Sequence, residues 1–253
     1  LSDRNADYAD WLFTRLQRRG YLRRDVQRLV NNDRNVFSAC MLRFGDADGM
    51  VTGVTRHFMN TLGDIRLVLD QAPGGRLMGL SIAVTRGRTL VIADTNVTEF
   101  PESPELADIA EGAAKAARKL GLTPRVAFLS YSTFGNPPGS RTEKIQSAVK
   151  LLDARGVDFE YEGEMAADVA LNPNHREAYS FSRLSGPANV LVMPAVHSAS
   201  IAVRLLKATG GATVIEGLVV GLEKSVQIAR LGSPVSDIVN LAGMASFDLT
   251  HRA

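Results

Sequence analysis

Three stretches of this 253-residue chain hold side chains able to do chemistry, each beside an apolar run. Ser130-Tyr131-Ser132-Thr133 directly follows Val126-Ala127-Phe128-Leu129. In open α/β sheets ligands gather at the carboxyl ends of strands, where hydroxyls and backbone amides suit phosphate. Ser130, Ser132 and Thr133 have that placement, and Gly135, Gly139, Ser140, Arg141 and Thr142 extend a polar lip beside them. The same segment also reads as a βα turn that caps the next helix. Arg230 and Asp237 form the second group. Arg230 can hold an anion and Asp237 can act as a base toward an incoming thiol. The plainer account is a helix opened by Ser233-Pro234, with Asp237 in its early part, where the macrodipole favours a negative charge.

The third stretch is Asp46-Ala47-Asp48-Gly49, ahead of Met50-Val51-Thr52-Gly53. Two carboxylates two residues apart could meet a cation, but no octahedral oxygen set accompanies them, and a turn explains them more simply. Arg56 and His57 lie past the carboxyl end of that short strand and could meet an anion. For His57, His175, His197 and His251 a hydrogen-bonded or solvent-facing role is the simpler reading, and no spacing matches a metal site.

The elements that must position these groups follow from periodicity. Residues 7 to 32 have helical spacing (Trp11, Leu12, Leu16, Val26, Leu29, Val30), interrupted at Gly20. A helix over Asn35 to Phe44, a strand at Met50 to Gly53 and a helix over Arg56 to Leu69 follow. Leu77 to Val84 and Thr89 to Ala93 are β-rich and separated by a turn at Arg86-Gly87-Arg88. Helices over Glu105 to Leu120 and Arg141 to Ala154 alternate with strands at Pro124 to Leu129 and Phe159 to Tyr161. Val190 to Met193, Ile201 to Ala208 and Ala212 to Ile215 repeat the cycle, and a last helix covers Pro234 to Ala245. This alternation predicts an α/β layered fold with a mostly parallel sheet.

Composition sets the outer limits. Hydrophobic residues make up 45% and charged residues 22%, with a net charge of +2, which are ordinary globular values. The basic cluster Arg15, Arg18, Arg19, Arg23, Arg24 and Arg28 lacks interleaved aromatics, so it reads as a solvated or subunit-facing helix surface and not as a nucleic-acid site. The single cysteine, Cys40, excludes an intrachain disulfide and points to the cytoplasm; its apolar surroundings make it a buried structural thiol. No apolar run reaches the roughly 18–20 residues a bilayer requires. Leu1-Ser2-Asp3-Arg4 opens no signal peptide, and the missing initiator Met suggests a start partway along a longer polypeptide.

From about Tyr8 to Ser246 the chain resembles the phosphate acetyltransferase (phosphotransacetylase) family. Within it the chain is most similar to the phosphotransacetylase-like C-terminal domain of hybrid NADP-dependent malic enzymes. The phrases that carry the likeness are Gly45 to Arg56 (GDADGMVTGVTR), Gly163 to Asn172 (GEMAADVALN) and Gly186 to Val192 (GPANVLV), with Leu129 to Thr133 and Ser236 to Asn240. The resemblance implies a fold like isocitrate and isopropylmalate dehydrogenases: two α/β subdomains with a cleft between them, dimerised or in a higher homo-oligomer. Residues 1–68 and 217–253 would build the first subdomain and 69–216 the second. Family domains carry further α/β structure before the position of Leu1, so the first subdomain would lack its N-terminal part.

Members of the family exchange acetyl between acetyl phosphate and coenzyme A. An aspartate deprotonates the thiol, and a Ser-Arg pair steadies the oxyanion. Here that pair reads Ala229-Arg230, and Asp237 stands about one residue further on than the pattern. His197-Ser198-Ala199-Ser200 replaces an Asn-Ala-Gly-Asn motif. Gly63 occupies the place of an arginine, for which Arg56 and Arg66 are substitutes. The expectation is a regulatory domain that binds acetyl-CoA in a degenerate cleft and inhibits a linked malic enzyme module, itself without acetyltransferase activity. The ligand would meet Ser130, Ser132, Thr133, Arg230, Asp237, Arg56 and His197. NADP and a divalent metal would serve only the linked module. The alternatives are an active phosphate acetyltransferase, with Ser233 supplying the hydroxyl, or a domain that only assembles subunits.

Overall fold

The computed structural model describes residues 4–85 and 87–251; Leu1, Ser2 and Asp3 of the opening segment, and Arg86 of the predicted turn, lie outside them. The chain divides into two compact units, Leu1–Gly74 with Leu222–Ala253, and Gly75–Gly221.

In the first unit, helices α1 (Asn5–Leu16), α2 (Arg23–Asn32) and α3 (Arg34–Phe44) come first, with a single 3-10 turn, Gln17–Arg19, after α1. Gly20 ends that turn in the left-handed region at φ 88°, which explains the break seen in the helical pattern. Tyr8, Leu12 and Leu16 recur at helical spacing and are fully buried. Strand β1 (Gly49–Gly53), helix α4 (Phe58–Arg66), strand β8 (Ser225–Ala229) and helix α10 (Val235–Thr250) complete the unit. β1 and β8 pair in parallel, in register from Gly49 opposite Ser225 to Gly53 opposite Ala229. Met50, Val226 and Ile228 are buried, as are Leu241 and Ala245 of α10.

In the second unit the elements are β2 (Met78–Thr85), β3 (Arg88–Ala93), α5 (Ser103–Lys119), β4 (Arg125–Leu129), α6 (Ser140–Arg155), β5 (Glu160–Met165), α7 (Ala167–Leu171), α8 (His175–Ala178), β6 (Val190–Val192), α9 (Val196–Ala208) and β7 (Thr213–Val220). They form a six-stranded sheet in the order β5-β4-β6-β3-β2-β7. The β4–β5, β4–β6 and β3–β6 pairs are parallel, whereas β2 pairs antiparallel with both β3 and β7. The sheet is therefore mixed, with a parallel half and an antiparallel half. Met78 through Ala83 are all buried, the near-continuous apolar run expected of a strand covered on both faces. α5 and α9 both contact β3. Successive side chains of a strand point to opposite faces, and Leu90 and Ile92 share a core cluster with Ala199 and Val203 of α9. That leaves Val91 and Ala93 to the α5 side, where Ala107, Ala110, Ala113, Ala114 and Ala117 let the helix approach closely.

Several boundaries differ from the sequence reading, each for a physical reason. The helix expected from Arg56 starts at Phe58, because His57 is its N-cap: the ring Nδ1 accepts from the Met59 amide at 3.4 Å. Pro234, not Ser233, is the N-cap of α10, and no side chain caps that helix. β5 and β7 run longer than their hydrophobic cores, and β8 was not anticipated. Among the described residues no helix is long and apolar enough to cross a membrane.

Candidate functional site

In the second unit, β3, β6, β4 and β5 run parallel, so their carboxyl ends share one edge of the sheet. β3 leads through α5 to β4, yet β6 lies between them, which makes this edge a topological switch point, the place where open α/β sheets hold ligands. Ser130 leaves β4 with its amide bonded to the Met165 carbonyl at 3.0 Å. Ser132 is fully buried, and its hydroxyl donates to Glu164 Oε1 at 2.8 Å. The Gly135 amide donates to the same oxygen at 2.7 Å. Thr133 Oγ1 accepts from the Ala166 amide at 3.0 Å. The predicted phosphate loop is thus tied to the end of β5 by two of its three hydroxyl residues, and Ser130 is the half-exposed one at its entrance.

Glu164 is the residue that sequence reasoning missed. The register between β4 and β5 slips from Phe128 opposite Gly163 to Leu129 opposite Met165, so Glu164 is the extra residue of a bulge. Bulges re-aim side chains, and this one sends a carboxylate inward, under the loop. Glu164 is fully buried, and its Oε2 has no hydrogen-bond partner among the described residues. Replacing Glu164 by Ala strands a buried hydroxyl, at about 1–3 kcal/mol, and a part-buried amide, which costs less. We expect Glu164→Ala to destabilise the fold by about 2–5 kcal/mol in urea unfolding. Glu164→Gln keeps an acceptor oxygen, so it should cost less than half as much; equal losses would refute this role.

Asp94 at the end of β3 was also missed, although Asp94-Thr95-Asn96 after a buried strand is an Asx-turn signal. Its Oδ1 accepts from the amides of Gly79, Asn96 and Val97 at 2.8, 2.9 and 3.1 Å, and its Oδ2 accepts from Thr98 at 2.7 Å. These bonds hold the loop that leads toward Phe100. Past β6, His197 sits in the first turn of α9, exposed and stacked on Phe100 with ring centroids 5.3 Å apart. The second unit therefore brings Ser130, Ser132, Thr133 and His197 to one sheet edge.

Arg56, Arg230 and Asp237 belong to the first unit, at the carboxyl ends of the β1–β8 pair. The Val54 amide donates to the Ala229 carbonyl at 3.2 Å, and the Gly232 amide donates back to the Val54 carbonyl at 3.4 Å. The turn after β8 is thereby held against the end of β1. Arg230 leaves β8 on this turn, and Asp237 enters the first turn of α10 with its amide bonded to the Pro234 carbonyl at 3.1 Å.

Arg56 is engaged on both sides: Nη1 donates to Asp33 and, at 2.9 Å, to Asp64. Buried Asn35 links the same network, accepting from Thr52 Oγ1 at 2.7 Å and donating to Asp64 at 3.1 Å. Asp33 also caps α3 through the amides of Asn35 and Val36. Burial, the largest single influence on Asp33, raises its pKa, but the Arg56 bond and the two amides together hold it below the usual carboxylate range. A carboxylate so depressed adds stability above its unfolded pKa, about 3.9, and loses it as pH falls through the lower folded value. Asn caps a helix as well as Asp does. The stability difference between wild type and Asp33→Asn should therefore be greatest near neutrality and shrink in acid; a difference that stays flat from pH 7 to 3 would contradict this.

Other candidates resolve into structural roles. Tyr8 donates to Asp46 Oδ2 at 2.5 Å, and Arg4 pairs with Asp46 at 3.2 Å, as a turn requires. His175 is buried between the Asn172 carbonyl and Ser182 Oγ. Burial pushes the Cys40 thiol up to about 12, so it is inert. Among the described residues no group of three or more His, Cys, Asp or Glu could hold a metal ion.

A sequence profile described as phosphate acetyl/butaryl transferase matches residues 1–246. An NADP-dependent malic enzyme of Rhizobium meliloti (strain 1021) is 60% identical over 248 residues, which are 98% of this chain and 33% of that protein. The chain thus spans about a third of the length of that relative. A phosphate acetyltransferase of Acetivibrio thermocellus is 29% identical, across 97% of this chain and 76% of that one. Among solved structures, a phosphotransacetylase from Streptococcus pyogenes aligns with a TM-score of 0.87 at 26% identity, covering 97% of this chain and 76% of the other.

Proposed function

The chain belongs to the phosphate acetyl/butaryl transferase family, and from that premise we propose that it is the regulatory domain of an NADP-dependent malic enzyme. In this reading it binds acetyl-CoA where its relatives bind substrate and thereby inhibits a linked malate-decarboxylating module. The observation that carries the reading is residue 229. Ala229 is the last residue of β8 and is buried against the end of β1, so the position before Arg230 has no hydroxyl to offer a developing oxyanion. Losing one such donor costs roughly 2.7–4 kcal/mol, or two to three decades in rate. Binding does not depend on that donor. Within the first unit Arg230 can still meet a phosphate or the thioester carbonyl; within the second, Ser132 and Thr133 hold in shape the loop that carries the Ser130 hydroxyl, and His197 stands in the first turn of α9. Asp237 lies on the Arg230 side, in the first turn of α10 of the same unit.

A ligand regulates only if it favours one arrangement of the protein over another. The proposal therefore needs acetyl-CoA to bind and acetyl transfer to be absent. Ser233 keeps a second reading open, since its amide is bonded to the Arg230 carbonyl at 3.1 Å and its hydroxyl shares that turn. The deciding experiment pairs an acetyl phosphate–coenzyme A exchange assay with an acetyl-CoA titration. Saturable binding without turnover is the expected result. Turnover that vanishes in Asp237→Ala would make this a transferase, and absence of binding would leave only an assembly role.

A further inference from the structure

Two clefts of the first unit differ in electrostatic character. One, of about 390 Å³, is lined by Arg28 and Arg56 but also by Asp25 and Asp33, so its charges balance. The other, of about 660 Å³, is lined by Arg15, Arg19, Arg66, Gly63, Asp70 and Gln71, with two leucines. Here three guanidinium groups face one carboxylate. Arg15 is fixed in a forked pair with Asp70, at 2.8 and 2.6 Å, and its Nε donates to the Leu67 carbonyl at 2.9 Å. Glu223 adds a negative charge felt by Arg15, and Arg43 adds a positive one felt by Asp70, so the excess remains positive. Arg19 and Arg66 are exposed and have no ion pair or side-chain hydrogen bond among the described residues. Gly63 is open beside them, with nothing within 4 Å of where a Cβ would stand.

We propose that this cleft is a binding site for a phosphate-bearing small anion, distinct from the acetyl-CoA site, so that Arg66 serves here and does not stand in for the arginine missing at Gly63. A planar guanidinium presents paired donors that match phosphate oxygens, and two such forks without partners leave donors for one anion to satisfy. Arg15, locked by Asp70, adds a third positive group at a fixed position. Cations at the ends of α4 and of the 3-10 turn also suit those helix termini; that role needs no ligand, and the experiment separates the two. The cleft wall at Asp70-Gln71 is where the chain leaves this unit, and Gln71 bridges to Leu222, where it returns.

The test is calorimetric titration of the full chain with inorganic phosphate and with pyrophosphate, at constant ionic strength, for wild type, Arg19→Ala, Arg66→Ala and the double variant. Saturable binding is expected, tighter for pyrophosphate, and weakened about tenfold or more by each single change. Both side chains are exposed, so melting temperatures should not move. No saturable binding to wild type, or undiminished binding to the double variant, overturns the proposal. Arg230→Ala should leave pyrophosphate binding intact. If it abolishes that binding, the anion belongs to the acetyl-CoA site and the separate site falls, whereas loss of acetyl-CoA binding alone leaves it standing.

Discussion

Gly53→Ala should unfold the first unit at a temperature roughly 10 °C lower than wild type. Gly53 ends β1 at φ +112°, in register with Ala229, and a Cβ there would stand 2.0 Å from the Ala229 carbonyl oxygen. That oxygen is the acceptor for the Val54 amide, so it cannot move without breaking the bond that holds the two strand ends together. The backbone penalty for a side chain at positive φ is about 1–2 kcal/mol, and forcing a packed neighbour aside adds about 1–3 kcal/mol. A total of about 3–4 kcal/mol corresponds to roughly that shift in midpoint. Calorimetry should show it, and amide exchange should quicken across β1 and β8. A midpoint within about 2 °C of wild type would mean the strand ends are not packed as described. Because Arg230 leaves β8 at the same point, the variant should also loosen acetyl-CoA binding.

Arg230→Ala should weaken acetyl-CoA binding by about 10- to 100-fold while leaving the midpoint of unfolding nearly unchanged. A hydrogen bond to a charged group contributes about 1.5–3 kcal/mol, and each 1.4 kcal/mol is a factor of ten in affinity. The change falls on a half-buried side chain, and the backbone bonds of the turn that carries it remain in place. Arg230→Lys should lie between, since an ammonium keeps the charge without the paired donors. Titration calorimetry reads all three proteins. If Arg230→Ala binds acetyl-CoA as tightly as wild type, the ligand does not meet this turn, and the site must be sought elsewhere.

Much of the molecule was legible in the amino-acid sequence, and the reason is locality. Helical spacing in Tyr8, Leu12 and Leu16, the small face of α5, and the glycine break at Gly20 are written within a few residues of themselves, so α1, α5 and the 3-10 stop could be read directly. The order of strands and helices, and with it the α/β class, followed from the same local signals. Motifs in Gly45 to Arg56 and Gly186 to Val192 carried the family, which the match over residues 1–246 bears out. Ser130 to Thr133 could be placed after a strand because that, too, is a neighbour relation.

What only the tertiary structure decided were the relations between residues far apart in the chain. β8 has a polar residue, Gln227, at its centre, which interrupts the apolar run that marks a buried strand. It became a strand by pairing with β1, more than 170 residues earlier. Arg56 reads as an available cation until the fold brings Asp33 and Asp64 to it. Glu164 reads as one acid among several in β5, and only the bulge turns it inward beneath Ser132 and Gly135. The sequence by itself determined which residue types were at hand and which local elements would carry them. Which charges are neutralised, which hydroxyls are buried and which guanidiniums still lack a partner depended on three-dimensional packing, because desolvation and pairing act through space and not along the chain.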